Sequence, residues 1–217
     1  MVGKGTMKKE KSDVSPSGKR EETMKIIGII ASPRKNGNTA WTVNKILEGA
    51  NDQGAETRSW YFSDHDVGPC QGCLCCHDGD ERGCVIDDDM QDLYGALAQA
   101  DAIVLGSPVY MGQMSAQAKI ITDRLFAQIS PRFSPHYQER VAKQKLVLVF
   151  TQGNPDPGLF QEYFAYTKKI FQMLEFEVTE VVVVAGMRDE PAHKRTDLPK
   201  AMKDIGSSLV PDQAPAQ

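Results

Sequence analysis

This sequence predicts an α/β fold: a doubly wound, five-stranded parallel sheet with helices on both faces. Two observations carry that expectation. Short apolar runs rich in β-branched residues recur along the chain without polar alternation, as in strands buried on both faces. Between them lie stretches with helical spacing of apolar residues, and a regular β-α alternation favours a parallel sheet with helical crossovers.

The first run, residues 25–31 (KIIGIIA), ends at Ser-Pro. Residues 101–108, 145–153 and 178–186 repeat its character, while 55–63 alternates and reads as a more exposed strand. Helices are expected over 39–53, 88–99, 114–129, 159–174 and 198–209. Ile120, Ile121 and Leu125 recur at helical spacing in the third, and Leu159, Tyr163, Tyr166, Ile170 and Met173 do so in the fourth. In such sheets ligands bind at loops leaving the carboxyl ends of the strands.

The chain has 217 residues, 25 Lys and Arg against 29 Asp and Glu, a net charge of −4 and 41% apolar residues. One domain of ordinary core size fits that length. The charge balance gives no global reason to bind nucleic acid or an anionic membrane, and no apolar run approaches the ~20 residues that span a bilayer. Residues 1–23 are basic, with Gly, Ser and Pro and no apolar segment of a secretory signal, so they read as a disordered extension and the location as cytoplasmic. Residues 24–209 form the folded domain, and 210–217 a frayed tail.

Three loops at strand ends hold candidate binding residues. Residues 32–39 (SPRKNGNT) combine the hydroxyls of Ser32 and Thr39, the Arg34 fork and a helix start that Asn38 or Thr39 can cap, the parts of a monophosphate site. The loop is neither G-x-G-x-x-G nor the nucleoside-triphosphate loop. After the third strand, Pro108, Val109, Tyr110, Met111 and Gly112 offer a rigid turn, an aromatic cover and a side-chain-free approach for a planar heterocycle, with Ser115 capping the next helix. Thr151 and Gly153, after the fourth strand, would form the opposite wall. Each loop alone is also compatible with an ordinary turn.

All five cysteines fall within residues 70–84. Cys70, Cys73, Cys76 and Cys84 give C-x2-C-x2-C-x7-C, with Cys75 as a fifth thiol. A cytoplasmic chain with an odd count disfavours disulfides. The compact run resembles iron–sulfur ligation more than the paired spacing of zinc sites; zinc, a redox thiol pair and a metal-free loop are the alternatives. His77 is a lone loop histidine, and His65, His136 and His193 are expected at the surface. Residues 130–140 (SPRFSPHYQER) read equally as a lid, a subunit contact or a surface linker.

From about residue 25 to 186 the chain resembles the NAD(P)H-dependent FMN reductase-like branch of the flavodoxin superfold, and more narrowly the iron–sulfur flavoproteins of anaerobic bacteria and archaea. The resemblance lies in GIIASPRKNGNT at 28–39, in GSPVYMGQMSAQAK at 106–119 with Asp123-Arg124, and in the cysteine run ahead of VIDDDM at 85–90. It implies a flavodoxin-like fold holding FMN, with Ser32, Arg34, Asn38 and Thr39 at the phosphate and residues 108–112 with Ser115 at the ring. It further implies a [4Fe-4S] cluster on Cys70, Cys73, Cys76 and Cys84, and a homodimer or homotetramer with the cluster near a neighbour's flavin. Electrons would enter from NAD(P)H or a low-potential carrier such as a ferredoxin, and leave to a quinone, a flavin or an oxygen species. No catalytic side chain is singled out. The rival readings are an FMN or quinone reductase without a cluster, and a non-enzymatic thiol redox sensor.

Overall fold

A computed structural model describes residues 23–77, 83–129 and 144–211. Five parallel strands, β1 (Lys25–Ile30), β2 (Glu56–Tyr61), β3 (Ala102–Tyr110), β5 (Lys145–Thr151) and β6 (Glu177–Val184), stand in the order β2-β1-β3-β5-β6. A two-residue strand, β4 (Gln113–Met114), pairs antiparallel with the end of β3. The helices are α1 (Asn38–Asp52), α2 (Met90–Leu97), α3 (Ala116–Arg124), α4 (Phe126–Ile129), α5 (Gln161–Met173) and α6 (Leu198–Leu209).

The apolar runs are continuous because both sheet faces are covered. Ile26, Ile30, Val104, Val147 and Val149 pack with Val43, Ile46 and Leu47 of α1 and Met202 of α6. On the other face Ile27, Ile29, Leu105, Leu148 and Phe150 meet Leu93 of α2, Ile121 of α3 and Phe164 and Phe171 of α5. β2 is an edge strand whose one buried side chain is Trp60. At the α1–α6 crossing the backbones touch: a Cβ on Gly206 would stand 1.8 Å from the Ile46 carbonyl oxygen, and one on Gly49 2.1 Å from that of Lys203.

Several expected boundaries shift. The helix expected over 114–129 is two helices, with Met114 in β4. The Gln128 N–H bonds the Leu125 carbonyl three residues back, so the backbone tightens there. α2 starts at Met90 because the Asp88 carboxylate takes the Met90 N–H, and α5 starts after a Pro157-Gly158 turn. β3 runs through Pro108, which pairs with Thr151 beyond the point where the β1 ladder ends at Gly106, so the missing N–H costs no bond to β1. Residues 1–22, 130–140 and 212–217, and with them His136, lie outside the described residues. Among those described, no helix is long and apolar enough to cross a membrane.

Candidate functional site

Between β1 and α1 the chain folds back on itself. The Arg34 N–H donates to the Ser32 hydroxyl (3.2 Å) and the Gly37 N–H to the Arg34 carbonyl (3.2 Å). Gly37 occupies the cap position of α1 without a side-chain bond, so neither Asn38 nor Thr39 caps this helix as expected. Both side chains are drawn to distant chain instead: Asn38 Oδ1 accepts the Ala192 N–H (2.9 Å), and the Thr39 and Thr151 hydroxyls lie 2.6 Å apart. A fifteen-residue helix thus begins with first-turn N–H groups that no side chain caps, a seat for an oxyanion. Ser32 is buried and Arg34 exposed at its rim.

The rigid turn expected at Pro108 lies further on. Tyr110 and Gln113 pair across a two-residue turn in which Met111 (φ 50°) and Gly112 (φ 78°) are both left-handed, the hairpin geometry that matches strand twist. Met111 is fully exposed and Tyr110 is 42% exposed. A side chain on Gly112 would meet the Phe160 ring at 3.1 Å. Ser115 caps α3 as expected, accepting the Ala118 N–H (3.1 Å); its hydroxyl also donates to the Ala31 carbonyl (2.7 Å), and its N–H bonds the Ser107 hydroxyl (2.9 Å). These buried bonds fasten the β3 loop to the end of β1. Ser107, which sequence reasoning missed, closes the knot.

At the end of β5, Thr151 is buried against Thr39, and beyond it Gly153 is half-buried beneath the Arg188 side chain, 3.6 Å from where a Cβ would stand. Gln152 was also missed. It is 2% exposed, its Nε2 bonds the carbonyls of Asn154 (3.2 Å) and Asp156 (2.6 Å), and its Oε1 has no partner among the described residues. A buried acceptor without a donor is uncommon in folded proteins and fits a site completed by a ligand. The structure therefore brings Ser115, Thr39 and Thr151 into contacts that join the three loops, while Arg34, Tyr110 and Met111 stand outward on the surface.

The cysteine loop leaves β2 through a short turn over 62–64. Cys70, Cys73, Cys76 and Cys84 all line one cavity of about 120 Å³, with Leu74, Val85, Ile86, Arg124 and Phe126; Cys75 is not on its wall. Left-handed Gly72 (φ 62°) and Leu74 (φ 60°) let the chain double back between the cysteines, and the Gly72 N–H points at the Cys70 sulfur (3.4 Å). Burial pushes the Cys76 thiol up, and the neighbouring Cys84, Cys73 and Cys70 add to the shift. None of the five is in a disulfide. Among the described residues, no three His, Cys, Asp or Glu side chains are drawn together at metal-holding geometry. His77 ends the described part of this arm, His193 is exposed, and His65, expected at the surface, is half-buried and stacked 4.3 Å from Trp60.

Beneath the loop lies Arg124, the last residue of α3, 1% exposed. It grips Asp88 through two bonds (2.7 and 3.0 Å) and donates to the Gly68 carbonyl (3.0 Å); the Tyr94 hydroxyl donates to the Arg124 carbonyl (2.7 Å). Asp88 also accepts the Gly68 N–H (2.9 Å), so both feet of the cysteine loop meet at one ion pair.

A parallel sheet whose strand order doubles back at β1/β3, with an uncapped helix start and two further loops meeting there, defines a flavodoxin-like nucleotide-binding class. The chain belongs to the NADPH-dependent FMN reductase family, whose signature it matches over residues 24–187, and within it to the iron–sulfur flavoprotein branch. An iron–sulfur flavoprotein of Archaeoglobus fulgidus is 34% identical over 75% of this chain and 77% of its own length. Those of Methanosarcina thermophila (45% identical) and Methanocaldococcus jannaschii (43%) match over 46% of this chain; the matched region spans about half the length of these relatives, 52% and 51%. Among solved structures, an NAD(P)H:quinone oxidoreductase from Methanothermobacter marburgensis superposes with a TM-score of 0.65 over 87% of this chain and 100% of its own, at 16% identity. A flavone reductase reaches 0.67 over 86% and 62%, at 15% identity. At such identities the likeness is one of fold.

Proposed function

We propose that the protein is an FMN-dependent oxidoreductase carrying a [4Fe-4S] cluster, which passes electrons between NAD(P)H or a low-potential carrier and a quinone, flavin or oxygen-species acceptor. The observation that carries the cluster is that Cys70, Cys73, Cys76 and Cys84, and not Cys75, all border one cavity. Four thiolates from one compact loop are a donor set suited to iron–sulfur ligation. When bound, FMN supplies one- and two-electron exchange and the cluster single-electron exchange.

The chain's own residues bind and orient. The first-turn N–H groups of α1, with Ser32 and Arg34, would hold the phosphate, and Asn38 and Thr39 would keep that turn in place through Ala192 and Thr151. Residues 108–112 and Ser115 would shape one side of the ring site, and Thr151 and Gly153 the other. The partnerless Gln152 Oε1 offers an acceptor for an imide N–H or a ribityl hydroxyl. No side chain is required to move a proton. In keeping with the family resemblance, the working form is a homodimer or homotetramer.

The test is the absorption spectrum and metal content of anaerobically purified protein. Flavin bands over a broad iron–sulfur shoulder with about four irons per chain are expected, and Cys84→Ser should abolish the iron while retaining FMN. Yellow, iron-free protein would overturn the cluster and leave an FMN reductase. Protein without flavin that cannot be reconstituted with FMN would overturn the whole reading.

A further inference from the structure

Taking Cys70, Cys73, Cys76 and Cys84 as cluster ligands, we propose that Arg124 is the positioning residue of that site. It fixes both feet of the cysteine loop and turns its charge toward the thiolates, raising the potential at which a cluster there accepts an electron.

Burial is the first argument. A guanidinium 1% exposed is costly to desolvate unless its donors are satisfied. Arg124 is satisfied by Asp88 and Gly68, which are the two points where the cysteine loop departs from and rejoins the body. Any shift of Arg124 therefore shifts both feet together.

Orientation is the second. Arg124 lines the cavity with the four cysteines, as does Asp123, whose carboxylate is paired with Lys119; Asp88 does not. Of the buried ion pair, the positive member is therefore the one that borders the cysteine cavity. Burial works against the charge on Arg124, yet hydrogen bonds to Asp88 and Tyr94, with the field of Cys84, hold it protonated.

The electronic consequence follows from charge alone. One electron added to a cluster on four thiolates, supplied in the test by dithionite, makes the site one unit more negative without breaking a bond. A fixed cation beside the sulfurs favours the reduced form, since net charge and hydrogen bonding set cluster potentials. Removing the cation lowers the midpoint potential; removing the anion behind it raises the potential. An ion pair that only braced the loop would give no such opposed signs.

The experiment is a dithionite titration of anaerobically purified full-length protein, read by electron paramagnetic resonance, with iron and FMN contents measured alongside. Arg124→Gln should lower the cluster midpoint, Asp88→Asn should raise it, and Arg124→Lys, which keeps the charge but loses the fork, should fall between wild type and Arg124→Gln. FMN content should be unchanged in all three. If Arg124→Gln loses its cluster, the sign of the Asp88→Asn shift decides: upward supports the proposal. Unshifted midpoints or shifts of the same sign would overturn it while leaving the cluster assignment standing. Iron-free wild-type protein would instead overturn the assignment itself, and the role of Arg124 with it.

Discussion

Thr39 and Thr151 stand 112 positions apart in the chain, and their hydroxyl oxygens lie 2.6 Å apart in a buried contact. One hydroxyl donates to the other, and the second keeps a proton free for a further acceptor. The first turn of α1 is thereby tied to the end of β5, and the oxyanion seat to the wall opposite the hairpin.

Replacing Thr151 by Val keeps the volume and strands the Thr39 hydroxyl without its partner. A loss of about 1–3 kcal/mol is expected, the cost of an unsatisfied buried hydroxyl. Urea unfolding of flavin-free protein measures it. FMN retention should weaken in parallel, because the helix start loses its anchor.

Arg34 stands exposed beside that seat. Arg34→Ala should leave the unfolding midpoint unchanged and weaken FMN binding by roughly ten- to a hundredfold, the worth of a charge-assisted hydrogen bond. Riboflavin, which lacks the phosphate, should bind both proteins alike. Fluorescence titration with the two ligands separates a phosphate contact from a ring contact.

At the α1–α6 crossing no side chain fits between the helices. Gly206→Ala would drive a methyl into the Ile46 carbonyl and force the helices apart, at a cost of about 1–3 kcal/mol or more. Thermal unfolding should show it. Because α1 also carries the oxyanion seat, FMN affinity should fall with stability, whereas the cysteine loop, on the other face of the sheet, should keep its iron.

The Asp88 carboxyl is raised by burial but held below the ordinary carboxylate value by the hydrogen bonds from Arg124, Gly68 and Met90, which outweigh it. With its folded value depressed, Asp88 contributes stability that is fully present above the unfolded value and is lost as pH falls through the folded one. Denaturant midpoints should therefore drop more steeply with acidification in wild type than in Asp88→Asn. Parallel curves in the acid range would contradict the linkage.

Four of the five main strands were legible because each is a compact apolar run, and a sheet covered on both faces demands that pattern of Ile29, Leu105 or Val149 whatever the loops do; β2, the edge strand, was legible from its alternation. The spacing of Cys70, Cys73, Cys76 and Cys84 singled out the four cysteines that border one cavity. Less legible were features fixed by distant chain. Asn38 and Thr39 read as caps, since Asn and Thr at a helix start usually are, but Ala192 and Thr151 claim their side chains. Met111 carries none of the Asn-Gly signal of a tight hairpin, yet adopts its left-handed conformation. The break at Leu125 has no Gly or Pro to announce it. Arg124 is the preceding residue, held by Asp88 thirty-six positions away. Gln152 has no local mark at all; only the burial of its unpaired oxygen identifies it.

The meeting of Gly68 and Asp88 makes the cysteine segment an excursion that returns to its point of departure. The sheet and the three loops at its strand ends are joined without it, so a lineage could lengthen, shorten or discard the excursion and still inherit the same body. Cysteine spacing and loop length could then vary, provided the junction is kept. The pair Asp88 and Arg124, more than the number of residues between the last two cysteines, is the mark by which a shared origin of such segments should be sought.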